Sequence, residues 1–169
     1  MSSVLKPLLI AGSAAFSLVL AGCGSAPGQG GSDGTPPAKG EPTAEEVQAL
    51  LANLPEPYNA GDLENGRRVF ARCRSCHTIT DGGPNMTGPN LHGLFGRQVG
   101  THKGYRYSQA VTKADFVWDA KKLDEWLERP SGFLPGNKMS FVGVAAEQDR
   151  RDVIAYLKVH TGYQPEAAQ

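Results

Sequence analysis

Two thiols three residues apart, followed at once by an imidazole, occur at Cys73-Arg74-Ser75-Cys76-His77. Residues three and four positions on return to the same face of a helical turn, so Cys73, Cys76 and His77 can address a single flat partner. A C-x-x-C-H run has the spacing for covalent haem attachment: two thioether bonds to the porphyrin edge and one axial nitrogen on iron. Two other readings of a Cys pair fare worse. A closed zinc site needs further Cys or His ligands at finger or ribbon spacing, but the chain has 3 cysteines and the third, Cys23, lies far upstream. A thioredoxin-like pair needs a strand before the motif, whereas the residues before Cys73 read as helix.

An iron held by His77 alone leaves one position open for gas or peroxide, while a second protein ligand suits electron transfer. The candidates for that ligand are Met86, Met139, His92, His102 and His160. Met139 is preferred. It sits in Phe133-Leu134-Pro135-Gly136-Asn137-Lys138-Met139-Ser140-Phe141, an irregular stretch remote from His77, where a Pro-Gly turn can aim a side chain without regular backbone pairing.

The elements that must position these groups are helical. Asp62 is an N-cap for a helix whose Leu63, Gly66, Phe70, Cys73 and His77 share one face. Asp119 caps a second, with Leu123, Trp126 and Leu127 together until Pro130. A third runs from about Glu147 to Thr161, burying Val153, Ile154 and Leu157, with Gly162 as terminator. Between the first two lies a Gly/Pro-rich region from Asp81 to Ala114 without a period, long for a compact domain unless something large and apolar serves as its core.

The chain has 169 residues and equal numbers of Lys+Arg and Asp+Glu, 17 each. From Tyr58 onward there are 15 basic against 12 acidic residues, and from Cys23 to Pro57 one against five. A surplus of three is too small for a nucleic-acid surface. Residues 1–22 read as a secretory signal: Lys6 is the positive end, and the apolar run from Leu8 to Ala21 falls short of the roughly 20 residues of a comfortable span. Its end, Leu20-Ala21-Gly22-Cys23, resembles a bacterial lipobox, with Cys23 the expected lipidation site. Residues 23–57 form an expected flexible Gly/Pro-rich tether. Inside it, Thr43-Ala44-Glu45-Glu46 has the form of a capping box for a short amphipathic helix near 44–54. The domain is expected over 58–162, with a tail at 163–169.

From Gly61 to Gly162 the chain resembles a class I cytochrome c of the mitochondrial type, here in a bacterial lipoprotein, membrane-anchored form. The stretches that carry the likeness are Thr87-Gly88-Pro89-Asn90-Leu91-His92-Gly93-Leu94-Phe95-Gly96-Arg97, Pro135-Gly136-Asn137-Lys138-Met139 and Asp152-Val153-Ile154-Ala155-Tyr156-Leu157. The resemblance implies an all-α fold of about three main helices with long loops wrapped around one covalently attached haem c, ligated by His77 and Met139. It implies that Pro89 offers its carbonyl to the His77 ring, and that Arg97, Tyr107 and Trp118 meet the haem propionates. It also implies that Gly66 lets the first and last helices cross, with Tyr156 and Val153 close to it. Trp126 stands where the family usually has a tyrosine beside the methionine sulfur, and Val111 where an Asn usually orders a buried water. Ser131, Gly132, Ala145 and Ala146 replace lysines of the docking ring, leaving Arg67, Arg68, Arg72, Lys103 and Lys138 as basic candidates.

The expected role is that of a monomeric electron carrier, not an enzyme. It would run between a quinol–cytochrome c reductase and a cytochrome c oxidase, lipid-anchored at a bacterial cell membrane and facing the periplasm. A haem peroxidase or small-molecule sensor with an open distal site, and a fixed subunit of an oxidase complex, are the competing readings.

Overall fold

Capping side chains decide where the helices begin in the computed structural model, which describes residues 42–164. Thr43 Oγ1 accepts from the Glu46 amide at 3.2 Å while Glu46 Oε2 accepts from the Thr43 amide at 2.7 Å, which starts α1, Ala44–Ala52. Asp62 caps α2, Leu63–Phe70, through the Asn65 amide at 2.9 Å. Ser108 caps a short α3, Gln109–Lys113, and Asp119 caps α4, Ala120–Glu128, through the Lys122 amide at 2.7 Å. Pro130 occupies the first turn of α5, Pro130–Phe133, where its missing N–H costs nothing. The longest helix, α6, spans Glu147–His160 and ends at Thr161 before Gly162, whose φ is 73°.

The fold is all-α, and the described residues hold no β-strand. One isolated bridge, Gln98 with Val117, pins the long loop before α3 to the segment before α4. More helices are present than the three main ones expected, because α3 and α5 are too short to show a period. The first helix also ends earlier than expected. Beyond Phe70 the chain runs in successive turns, with Cys73 N bonded to Phe70 O at 2.8 Å and His77 N to Cys73 O at 3.0 Å.

The core lies between α2, α4 and α6: Val69, Phe70, Leu123, Leu127, Val153, Ile154 and Leu157 are buried together with Leu94 and Val144 from loops. Phe70 and Ile154 are 1% and 0% exposed, and each such side chain contributes roughly 1.5–3 kcal/mol by leaving water. The crossing of α2 and α6 is made at Gly66, where a Cβ would stand 2.7 Å from the Tyr156 Cβ and closer still to the Asp152 carbonyl oxygen. The Tyr156 approach is as expected, and the tightest contact is with the carbonyl of Asp152, the residue preceding Val153. The Asp152 carboxylate is fully buried and accepts from the Asp62 amide at 3.1 Å, Asn65 Nδ2 at 2.9 Å and Arg151 at 3.0 Å.

A second cluster joins α1 to the outer side of α6: Leu54, Ala155 and Val159 are buried, with Val47, Leu50, Leu51 and Tyr58 against them. The apolar stripe of the short N-terminal helix thus packs on the domain. Nearby, Lys158 is 4% exposed with its ammonium 3.4 Å from the Tyr163 ring centroid, 4.6 Å from that of Phe95 and 5.8 Å from that of Tyr58. Burial pushes this lysine down to about 8.

Candidate functional site

A cavity of about 280 Å³ opens into the core beside α2. A single water needs only about 10–15 Å³, and protein interiors otherwise hold few voids larger than that, so this is a ligand site and not a packing defect. Cys73, Cys76, His77 and Met139 all line it. Met86, His92, His102 and His160, the other candidates for a second ligand, do not; Met86 is 47% exposed on the surface.

Local backbone places each group. One hydrogen-bonded turn from Cys73 to His77 stacks the thiols and the imidazole as a helix would, although α2 has already ended. His77 Nδ1 donates to the Pro89 carbonyl at 2.7 Å, which fixes the tautomer and leaves Nε2 as the nitrogen able to ligate. Gly88 lies under the imidazole: a Cβ there would stand 2.7 Å from both ring nitrogens, so only glycine lets the ring sit where it does. Burial holds His77 below the usual histidine range in spite of the Pro89 carbonyl, which keeps the ring in its neutral, metal-binding form. Met139 is set by Asn137, whose Oδ1 accepts from the Met139 amide at 2.8 Å while its Nδ2 donates to the carbonyls of Pro130 and Leu134, each at 2.9 Å.

Cys73 and Cys76 are not bridged to each other, so both sulfurs can form thioether bonds, and burial pushes the unbonded Cys73 thiol up to about 11. Phe70, Leu91, Leu94, Leu123, Leu127 and Phe141 supply apolar lining. Arg97, Tyr107, Trp118 and Trp126 are also in the wall. The Trp126 ring meets Trp118 edge-on at 5.6 Å and Phe133 at 6.0 Å, and Phe116 meets Trp118 at 4.9 Å. Arg97 is half-buried and, among the described residues, has no carboxylate partner: it donates to the His92 carbonyl at 3.0 Å, the Asn90 carbonyl at 3.3 Å and the His102 ring at 2.9 Å. Burial lowers its guanidinium and raises the Tyr107 hydroxyl, as desolvation demands of any charge at this wall.

A flat apolar disc carrying two carboxylates fits this set. It would meet thiols, a neutral imidazole with Nε2 spare, a thioether sulfur, apolar walls and a buried cation lacking an anion. Two contributors escape the sequence reading, and a third, His102, is named there only as a candidate second ligand. Asn137 sits two residues before the methionine and could have been read as an Asx turn. Tyr105 lines the cavity, donates to the Thr87 carbonyl at 2.6 Å and packs edge-on to Tyr107 at 4.8 Å. His102 acts on Arg97 from outside the wall, and no local pattern signals such a pair. Of the basic candidates, Arg67 and Arg68 pair with Glu64, and Lys138 is tied to the Arg106 carbonyl with its ammonium 4.7 Å from the Tyr105 ring centroid.

Comparison with known proteins places these residues in context. The family model for cytochrome c matches residues 63–161. The cytochrome c of Kluyveromyces lactis is 43% identical over 105 residues, covering 62% of this chain and 96% of its own length. That of Euglena viridis is 46% identical over 99 residues, covering 58% of this chain and 96% of its own. A cytochrome c homolog of Rickettsia conorii is 40% identical over 114 residues, covering 68% of this chain and 65% of its own. These relatives correct the expectation of a bacterial lipoprotein at a bacterial membrane, facing the periplasm: the similarity runs mainly to eukaryotic cytochromes c. That expectation rested on residues 1–22 and Cys23, which lie outside both the family match and the described residues. Among the described residues no helix is long and apolar enough to cross a membrane.

Proposed function

The chain belongs to the cytochrome c family, whose members are electron carriers and not enzymes, and we propose that it passes single electrons from a quinol-oxidising complex to a terminal oxidase. Like its family, it carries one covalently bound haem c with His/Met axial ligation. Cys73 and Cys76 would hold the haem through thioether bonds, and His77 and Met139 would ligate its iron. When bound, the haem supplies a one-electron ferric–ferrous couple, and a thioether ligand in apolar surroundings favours the ferrous form and raises the potential.

The chain's own residues do the rest. Pro89 and Gly88 hold the His77 ring in one orientation, and Asn137 holds the Met139 backbone, so the chain itself orients both side chains. Arg97, Tyr107 and Trp118 take the carboxylate edge, where a buried cation and donors offset the cost of buried negative charge. The apolar lining excludes water. Trp126 brings an indole, which donates and cannot accept, to the wall.

The observation that carries this reading is the convergence of Cys73, Cys76, His77 and Met139 on one cavity. Two experiments test it. Haem should stay with the polypeptide after denaturation and be lost from Cys73→Ala/Cys76→Ala. The ferric protein should show a methionine-to-iron charge-transfer band that disappears in Met139→Ala, with carbon monoxide binding gained. Carbon monoxide binding to unmodified ferrous protein at neutral pH would favour an open distal site and sink the carrier reading.

A further inference from the structure

His102 stands just outside the cavity and has no part in holding haem, yet it contacts the cation that does line it. Arg97 remains charged at any accessible pH and can only donate. The 2.9 Å contact from Arg97 NH1 to His102 Nδ1 therefore requires an unprotonated Nδ1, with the imidazole proton on Nε2. The other two acceptors of Arg97 are neutral backbone carbonyls, of His92 and Asn90. Among the hydrogen-bond acceptors of Arg97 in the described residues, His102 is thus the one whose charge can change. The Tyr107 hydroxyl, which also acts on Arg97, is raised by burial and stays neutral where histidine titrates, and the haem carboxylates that Arg97 would meet are the same in a His102 variant.

A proton on Nδ1 would remove the acceptor and set two cations 2.9 Å apart, so this contact must break while Arg97 keeps the His92 and Asn90 carbonyls, and the wall gains one positive charge. The other titratable groups around His102 do not relieve this. Tyr107 meets the His102 backbone, the Tyr105 amide bonds the His102 carbonyl at 3.4 Å, and the adjacent Lys103 is exposed. Of charged groups, Arg97 alone acts on the ring, and it acts in the same direction as burial: both hold the imidazole below its ordinary value, burial the more strongly.

Resting on the electron-carrier reading above, we propose that His102 is a positioning residue: it holds Arg97 at the cavity wall and makes the potential of the haem bound there depend on pH. Coupling of this kind is reciprocal. If proton binding at His102 disfavours the extra positive charge of ferric iron, oxidation must weaken proton binding at His102 by the same factor. As protonated protein gives one electron to its acceptor, the His102 Nδ1–H bond breaks and the proton goes to solvent. A molecule that loses its proton yields ferric protein with a neutral imidazole, a reduced acceptor and one released proton; at a coupling of about threefold, that averages at most about a quarter of a proton per electron.

The test uses the haem-loaded protein. The midpoint potential is followed from about pH 4 to pH 8, the range in which histidine titrates, in the natural protein and in His102→Gln. In parallel, the His102 ring proton is titrated by NMR in both oxidation states, which needs no variant. We expect His102 to bind its proton about threefold more tightly in ferrous than in ferric protein. At 59 mV per tenfold for a one-electron couple, that is a rise of about 28 mV on acidification, absent from His102→Gln. Equal His102 titration in the two states, or the same rise in His102→Gln, overturns the proposal while leaving the carrier reading intact. A chain that takes up no covalent haem, seen in its optical spectrum, overturns both.

Discussion

Replacing Gly66 with alanine tests whether the α2–α6 crossing is as close as the geometry requires. The new methyl would sit 2.7 Å from the Tyr156 Cβ and within hard contact of the Asp152 carbonyl, against an ordinary contact limit of 3.4 Å. Backbone cannot yield as a flexible side chain does, and the Asp152 carbonyl is the tighter contact, so the helices must part by roughly 1 Å, a gap at which packed carbon pairs forfeit up to about half of their attraction. The same movement stretches the bonds from the Asp62 amide and Asn65 Nδ2 to the buried Asp152 carboxylate, now 3.1 and 2.9 Å, past useful length. Two such bonds are worth about 2 kcal/mol and overpacking costs about 1–3 kcal/mol, while alanine returns about 1 kcal/mol of helix propensity. The net loss is about 2–4 kcal/mol, or a melting point lower by about 10–20 °C for a domain near 100 residues. Guanidinium unfolding of the haem-loaded protein measures it, read as a lower midpoint at unchanged slope. A midpoint equal to or above that of the natural protein would refute the crossing geometry.

Two further outcomes follow from the second cluster. Lys158 is held near 8 in the folded chain against an ordinary value of 10.5, so between those values the unfolded chain binds more protons and stability rises with pH. Lys158→Met should remove that rise, seen as a stability difference between the two proteins that shrinks from pH 8 to pH 10.5; a constant difference would mean that the Tyr163, Phe95 and Tyr58 rings hold the ammonium charged throughout. Leu50→Asp puts a charge on the α1 face that packs beside Ala155 and Val159. Limited proteolysis should then cut near Pro55–Pro57 at least tenfold faster with the optical spectrum unchanged, and equal rates would show that α1 gains nothing from docking.

Helix starts were legible because a cap is local chemistry: Thr43 with Glu46, Asp62 and Asp119 each place an oxygen three residues before the amide it must satisfy. The end of α2 was not, since Cys73 and His77 continue the apolar period of Leu63, Gly66 and Phe70 after regular helix has stopped. Bringing Cys73, Cys76 and His77 to one side needs only one turn, closed by His77 N to Cys73 O, and not a whole helix. Pro89 and Met139 came from long, specific stretches of family likeness. Contacts between segments distant in sequence stayed hidden: the cage of Lys158 draws rings from positions 58, 95 and 163, and nothing in any one segment marks them as partners.

The same contrast explains why the haem reading stands and the lipoprotein reading does not. Five residues at Cys73–His77 carry tertiary obligations: a carbonyl 2.7 Å from the imidazole, a glycine beneath it, and a sulfur from more than sixty residues away on the same cavity. Each is a condition that the rest of the chain can fail, and Pro89, Gly88 and Met139 meet all three. Leu20-Ala21-Gly22-Cys23 lies outside both the described residues and the family match, so its reading is a local pattern alone. That reading rested on residues 1–23 alone, so relatives that are mainly eukaryotic cytochromes c overturn it without touching a residue of the proposed haem site.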